Sequence, residues 1–392
     1  MLNTQGRAVA DYRTWTPARA LERAGHDVWW HENDETTWGC RTLGELQQFF
    51  AEKAAWADVL HMGFSTSLEV IRLAVTARNY AAKVYGKSLP LIVDCDDDLL
   101  NVPSYNTAFK NYVATKEAKR AALWNFRCAD ALTVSTPPLV PLYAPYNKNI
   151  TALPNCIHPP EWADLPRNPR RADSADVRIA FAGGIGRKGD LDMIQGAIEN
   201  VMRQRPQVRL LFMGMMPDWV YEQWACNAID PYANRAFFIG DTDVRTYRDT
   251  MAWLAPDIFI APVLPNLFNA AKSNLKAMEA PLLGAVPVCS DWETYSNVPT
   301  DAAFKCSTEY EWRETLLALI DDPALRAKKV AAGLQWVNDC CTIDSKVHLW
   351  YNCFEAALSR PVIGDNGENM TLPVEQQILL ATPEEVRKLC LS

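Results

Sequence analysis

Strand-like and helical segments alternate in two series along this 392-residue chain, which predicts an α/β protein of two Rossmann-like, parallel-sheet domains. The first series runs through ADVLHMG (Ala57–Gly63), a helix over Leu68–Tyr85, LPLIVDCDDD (Leu89–Asp98), a helix over Ala108–Cys128, ADALTVST (Ala129–Thr136) and NITALPN (Asn149–Asn155). The second opens at VRIAFAGG (Val177–Gly184). Between them, Pro159–Asp176 is rich in Pro, Arg and Asp and carries no periodicity, as a linker does. The expected divisions are a first domain over 1–160, a linker over 161–176, a second domain over 177–342, and a final helix and tail over 343–392.

Taken in order, TPARALERAGHDVWW predicts a helix over Pro17–Ala24, stopped by Gly25 and followed by a strand-like DVWW. Almost nothing hydrophobic precedes Gly6, so the usual first strand is missing or very short. After the linker come a helix over Leu191–Arg203 and the strands RLLFMG, AFFIG and DIFIAP. Glu309–Ile320, Pro323–Asn338 and Ser345–Leu358 read as terminal helices. The tail beyond Arg360 reads as loosely ordered, apart from a helix at Pro383–Leu391.

Hydrophobic residues make up 49% and charged residues 22%, an ordinary globular balance. The net charge of −8 gives no global attraction to nucleic acid or anionic membrane, although a local basic patch is compatible with it. No stretch approaches the roughly 18 apolar residues of a membrane span, and MLNTQGRAVADYR has no signal-peptide core. The 11 cysteines are odd in number and scattered, with no CxxC and no His at ligand spacing, so reduced thiols in a cytoplasmic protein are expected, without a metal site.

The segment Ala261–Asp291 organises the second half. Asn269 stands where a helix cap belongs, Ala270–Leu283 reads as a helix, and Gly284 stops it before the strand VPVCS. Lys272, Lys276 and Glu279 fall at i, i+4, i+7 on one face. A lysine in a first helical turn is disfavoured by the helix dipole unless an anion joins it, and a phosphate fits that description. The plain alternative is a solvated surface face. Upstream, AGGIGRKGD (Ala182–Asp190) places Gly183, Gly184, Gly186 and Gly189 between a strand and a helix, where backbone can approach a phosphate. Arg187 and Lys188 add charged donors. The spacing is neither GxGxxG nor GxxxxGK[ST]. The two segments together point to a diphosphate clamp; the glycine loop alone reads equally as a structural turn.

In the first half, Asp94, Cys95, Asp96, Asp97 and Asp98 close a hydrophobic strand, where carboxylates serve as base, metal ligand or turn cap. Asp94 and Asp96 alternate and are expected on one side of the sheet. His61 reads as the carboxyl end of its strand, either structural or a base. Tyr12-Arg13 and Trp15, Trp29, Trp30 and Trp38 suit either a sugar or base site, or the core. Lys110, Lys116, Lys119, Arg120 and Arg127 make one helix basic.

PNLFNAAKSNLKAMEAPLLGAVPVCSD resembles the donor-binding segment of GT-B-fold, family-4-like glycosyltransferases. LIVDCDDDL resembles their acidic strand end, ADALTVSTPPL with ALPNCI their "aDaltvsT … lPNgv" passage, and IDDPALRAKK their C-terminal helix, so that the likeness spans roughly residues 7–358. The resemblance implies two domains facing a cleft, with the last helix crossing back to the first. It implies a nucleotide-sugar donor in the second domain and an acceptor, a saccharide or glycoconjugate, in the first. By that likeness Glu279 holds the ribose diol, Arg187, Lys188 and Lys272 hold the diphosphate, and Ser273 adds a hydroxyl. The chain departs where the family has the first of two glutamates, here Ala271; contact with the sugar then falls to Asn266, Phe268 or Asn269. Retention of configuration, with the leaving diphosphate helping to deprotonate the acceptor, needs no metal or cofactor. Inversion would require Asp94, Asp96 or His61 as base, with Arg13 and Asp97 also on the acceptor side. The basic helix adds a hydroxymethylated DNA base as a second acceptor class, and an epimerase or a non-catalytic binder on the same scaffold are the rival functions.

Overall fold

The computed structural model describes residues 1–360 other than 3, 5–6, 32–39, 41, 107–108, 110–113, 167, 172–173, 227–233, 241 and 243. Lys110, Trp38 and the expected helix at 383–391 lie outside the described residues. The chain divides into two compact units: unit 1 holds Met1–Val102, Phe109–Pro154 and the chain from Lys346 onward, and unit 2 holds Pro103–Ala108 and Asn155–Ser345.

Unit 1 is built on a parallel sheet ordered β1 (Leu60–Gly63), β2 (Leu91–Cys95), β3 (Ala131–Val134), β4 (Ile150–Ala152). The short first strand is reduced to one residue: Leu2 bridges Met62, donating to His61 O at 2.8 Å and accepting from Gly63 N at 2.9 Å. The following helix begins at Arg7, ten residues earlier than its Pro17 start in the sequence reading. It runs as Arg7–Ala10, a π-helical stretch Asp11–Trp15, and Thr16–Arg23. The five residues of the π turn, Asp11 to Trp15, are all buried, and the burial continues into Thr16–Ala18, so this helix runs through the interior instead of along the surface. DVWW forms no strand.

The longer helices that follow are α1 (Leu43–Trp56), α2 (Leu68–Tyr85) and α3 (Lys116–Cys128), with a short one over Leu139–Tyr143. Each of the three longer ones starts on a hydroxyl cap, Thr42, Ser67 and Thr115 respectively, that accepts a backbone N–H three residues on. Gly86 ends α2 at φ 64°, the left-handed region that favours glycine. α1 went unread in the sequence, although Thr42 and Glu45 have capping spacing ahead of its apolar run.

Unit 2 is a six-stranded parallel sheet ordered β10-β9-β8-β5-β6-β7, from β5 (Val177–Ala182), β6 (Val208–Met213), β7 (Ala236–Ile239), β8 (Ile258–Ala261), β9 (Val286–Ser290) and β10 (Phe304–Cys306). β10, three residues long, was not anticipated. Alternate residues serve opposite faces. Ile179, Phe181, Leu210, Phe212, Ile258 and Ile260 meet α4 (Gln195–Gln204) on one side, and Ala180, Ala182, Leu211, Met213 and Phe259 meet Met251 of α5 (Val244–Leu254) on the other. Burial on both faces is why these strands read as unbroken apolar runs. The chain winds outward in both directions from the β5–β8 pair, so a topological switch point lies between their carboxyl ends.

The stretch expected as a linker packs within unit 2. Trp162 is buried beneath the Arg248 guanidinium, Glu161 pairs with Arg248 at 2.6 Å, and Arg171 pairs with Asp257. Two helices lie beyond β8, α6 (Leu267–Ala270) and α7 (Leu275–Leu282); α8 (Glu309–Asp321) and α9 (Pro323–Cys340) follow β10. The last helix, α10 (Ile343–Leu358), starts in unit 2 and belongs to unit 1 from Lys346.

The core of unit 1 contains a polar network. Arg13 donates from Nε and Nη2 to the two carboxylate oxygens of Asp94, at 2.9 and 2.6 Å, and from Nη1 to Leu153 O at 2.5 Å. Trp350 of α10 stacks 5.1 Å from the guanidinium. Thr133 donates to Asp94 Oδ2 at 2.6 Å, which leaves its oxygen to accept from His61 Nε2 at 3.2 Å. The Asp94 carboxylate accepts three of these hydrogen bonds, two of them at Oδ2.

Replacing Asp94 with Ala should therefore lower the stability of unit 1 by about 3–5 kcal/mol, because the buried Arg13 guanidinium loses its carboxylate partner; denaturant unfolding measures it. A second outcome concerns acid. Burial lowers the His61 pKa from 6.5 to about 3, so between those limits only the unfolded chain takes up the proton. Stability then falls as pH drops from about 6.5 toward 3, with a slope of up to about 1.4 kcal/mol per pH unit. In His61→Gln that acid-side slope should flatten, as melting curves at several pH values would record.

Candidate functional site

The glycine loop follows β5 and the Asn266 stretch follows β8, so both emerge at the switch point of unit 2. Gly183 is required by crowding: a Cβ there would stand 2.9 Å from the Phe181 ring and 3.1 Å from Arg187 Cγ. Past Gly184 the chain makes a 3-10 turn, Ile185–Arg187, and a short helix, Lys188–Asp192. At Gly189 a Cβ would press on Leu264 at 3.0 Å, so this glycine lets the two loops close on each other.

The tie between the loops is Asp190, which the sequence reading included only as the end of the glycine run. Its side chain is 4% exposed. Oδ2 accepts from Arg187 Nη1 at 2.9 Å; Oδ1 accepts from Leu264 N at 2.7 Å and Asn269 Nδ2 at 3.2 Å. Asn269 also donates to Leu264 O at 2.9 Å, and its own Oδ1 receives Arg187 at 3.4 Å. An acid three residues beyond Arg187 was the available signal.

The Asn266–Leu283 stretch corrects the expectation of one helix. Asn266, rather than Asn269, is the cap, accepting Asn269 N at 2.8 Å, and α6 ends at Ala270. The carbonyl of Asn269, which a continuous helix would give to the amide of Ser273, is taken by Lys272 N at 3.1 Å and by the Thr294 hydroxyl at 2.5 Å. The chain opens over Ala271–Asn274, and α7 starts afresh at Leu275. Lys272 therefore sits ahead of α7 rather than on its Lys276–Glu279 face, with its ammonium 4.2 Å over the Phe268 ring. Ser273 Oγ accepts from Asn155 Nδ2 at 3.0 Å.

On α7, Glu279 is only 2% exposed, and its Oε2 accepts from both Lys276 Nζ and the Tyr247 hydroxyl at 2.7 Å. Lys276 also donates to that hydroxyl at 3.0 Å. Burial, together with the Glu279 charge, pushes the Tyr247 phenol well above its usual value, so it stays a proton donor. Lys188 stands apart: it is half-exposed and pairs with Asp192 at 2.7 Å, a surface contact worth little and readily exchanged.

Unit 2 also holds two residues the sequence reading passed over. Tyr105 places its hydroxyl 3.5 Å from Asn266 Nδ2, and Asn106 lies so close to Gly186 that a Cβ there would meet its amide at 3.1 Å.

The candidates of unit 1 separate by depth. Arg13, Asp94 and His61 lie in the buried network, each about 2% exposed. His61 is the second residue of β1, within the strand instead of at its end, and Trp350 and Phe354 pack against its ring. Asp94 faces the interior; the expectation that it shares an open side with Asp96 fails because β2 ends at Cys95. Asp96 and Asp97 are half-buried just past that end, their carbonyls receiving the Ser135 and Tyr143 hydroxyls at 2.7 and 2.6 Å. Asp98 caps a turn, accepting Leu100 N and Asn101 N at 3.1 Å. Lys116, Lys119, Arg120 and Arg127 of α3 are exposed. Among the described residues, no three His, Cys, Asp or Glu side chains cluster as a metal site, and no helix is long and apolar enough to cross a membrane.

No protein-family profile matches the sequence, and no curated protein matches it either. Solved structures do resemble it. A glycosyltransferase from Rickettsia africae superimposes at a TM-score of 0.57 with 13% identity, covering 92% of this chain and 98% of that one. HepE from Anabaena, solved with UDP-glucose, gives 0.56 at 14% identity over 82% and 84%. TarM from S. aureus, solved with fondaparinux, alpha-GlcNAc-glycerol and UDP, gives 0.52 at 12% identity over 79% of this chain; the chain spans 58% of TarM. The fold is accordingly that of the GT-B enzymes, two Rossmann-like domains.

Replacing Asp190 with Ala should detach the two loops and leave Arg187 without its buried partner. A loss of about 3 kcal/mol in the stability of unit 2, on the scale of a broken buried pair, is expected in denaturant unfolding.

Proposed function

We propose that this chain is a glycosyltransferase that moves a sugar from a nucleoside-diphosphate sugar to an acceptor hydroxyl. The observation that carries the reading is the meeting of the two loops at the β5–β8 switch point, where Asp190 holds Arg187 and Asn269 together. Arg187, Lys272 and the backbone of Gly183 and Gly184 take the diphosphate, and Lys188 joins by leaving Asp192. Glu279, its carboxylate oriented by Tyr247 and Lys276, accepts the ribose diol; Ser273 adds a hydroxyl. The UDP-glucose in HepE and the UDP in TarM support a donor of this class.

Charge builds on the diphosphate as the glycosidic bond to it breaks. Cations held beforehand at that place lower the barrier, since they need no reorganisation when the charge appears. We read the reaction as retaining, with a diphosphate oxygen taking the acceptor proton. His61 and Asp94 are committed to the interior of unit 1, which leaves Asp96 as the base for an inverting route. The reaction as read requires no cofactor, and the cysteine pattern fits a cytoplasmic enzyme.

A saccharide or glycoconjugate is the acceptor on this reading. The exposed Lys116, Lys119, Arg120 and Arg127 of α3 favour a second class, a hydroxymethylated base in DNA. Mass spectrometry after incubating a nucleotide-sugar panel with saccharides and with hydroxymethylated DNA identifies donor and acceptor together. Lys272→Ala should lower kcat about 10²–10³-fold, the cost of one well-placed donor to a developing charge. Glu279→Ala should act mainly on donor KM. Turnover like that of the unaltered protein in both variants would refute the site, and consumption of a nucleotide-sugar without acceptor would mark an epimerase instead.

A further inference from the structure

The donor-site reading leaves the sugar without an obvious reader. Ala271 is buried and offers only a methyl group, and the Asn269 side chain is held by Asp190, Leu264 and Arg187. In chain order Asn266 and Asn269 precede Lys272 while Lys276 and Glu279 follow it, so with the ribose at Glu279 and the diphosphate at Lys272 the donor-site reading puts the sugar toward Asn266. There the segment Pro103–Ala108, which belongs to unit 2, supplies Tyr105 and Asn106.

We infer that Tyr105 and Asn106 read the hydroxyl pattern of the transferred sugar. The inference rests on the donor-site reading and extends it from the phosphates to the sugar. Tyr105 is no core residue: it is 54% exposed, although its hydroxyl stands beside Asn266 Nδ2. Its charged neighbours are Asp190 and Arg187, the pair that ties the two loops. Asn106 fills the space that a side chain at position 186 would need, so Gly186 fits there because the amide lies against the loop. Chemically the two suit the task. A phenol offers a donor, an acceptor and an aromatic face for the C–H side of a pyranose, and a carboxamide offers both hydrogen-bond senses. A site built to bond one hydroxyl rejects the epimer that lacks it, since its polar groups are then left unpaired.

The test compares the unaltered protein with Tyr105→Phe and Asn106→Ala. kcat/KM is measured for nucleotide-sugars that differ at a single hydroxyl, and affinity for the bare nucleoside diphosphate is measured by calorimetry. The expected result is unchanged nucleoside-diphosphate affinity, a drop of about tenfold in kcat/KM for the preferred sugar, and a matching loss of preference over its epimer. Gly186→Ala, which crowds the Asn106 amide from 3.1 Å, should weaken the preference in the same direction. Two variants that keep the original preference, Tyr105→Phe and Asn106→Ala, would overturn the inference while leaving the donor site standing. Failure of the unaltered protein to bind any nucleoside diphosphate would remove the donor site itself, and this inference with it.

Discussion

The arrangement of unit 2 depends on one buried carboxylate. Asp190 accepts from a guanidinium, a backbone amide and a side-chain amide that come from two loops separated by some eighty positions of sequence. A carboxylate this deep is tolerated only when fully bonded, so it tolerates little freedom in either loop. On the proposed reading an acid stands at the edge of an anion site: Arg187 offsets the Asp190 charge while also donating to the diphosphate, and Lys272, Lys188 and the backbone donors of the loop supply the rest.

Unit 1 uses the same device for a different end. Arg13 and Asp94 form a two-pronged pair in the interior, extended through Thr133 to His61 and covered by Trp350. Because α10 contributes that cover, the last helix is part of the core of unit 1. The network also explains why residues with catalytic potential turn out to face inward. A histidine kept neutral by burial, with Trp350 and Phe354 against its ring, is a structural residue by position as well as by charge.

The fold matches proteins with which the chain shares 12–14% of its residues. Such distance is physically unsurprising. A doubly covered parallel sheet asks for apolar side chains on alternate faces and turns at strand ends, and many sequences meet that demand. Crowding is more exacting: a Cβ at Gly183 would stand 2.9 Å from the Phe181 ring, and one at Gly189 would press on a Leu264 methyl at 3.0 Å.

Strands β1 to β9, the helix Leu68–Tyr85 and the three terminal helices were legible in the sequence, because each rests on local periodicity and capping that a window of residues contains. The glycine loop and Lys272–Glu279 were each read as anion-binding candidates from residue type and position at strand ends; what the structure joins to the glycine loop is Leu264 and Asn269, through Asp190. The break in the Asn266–Leu283 helix was not legible, because the Asn269 carbonyl that helix continuity required is shared between Lys272 N and the hydroxyl of Thr294, more than twenty residues away. Nor was the inward turn of Asp94, which depends on Arg13 arriving from another element. Residue pattern determined which segments fold and what charges they carry. Tertiary structure decided which of those charges meet, because hydrogen bonds of fixed length between distant segments, and not propensity along the chain, select the partner.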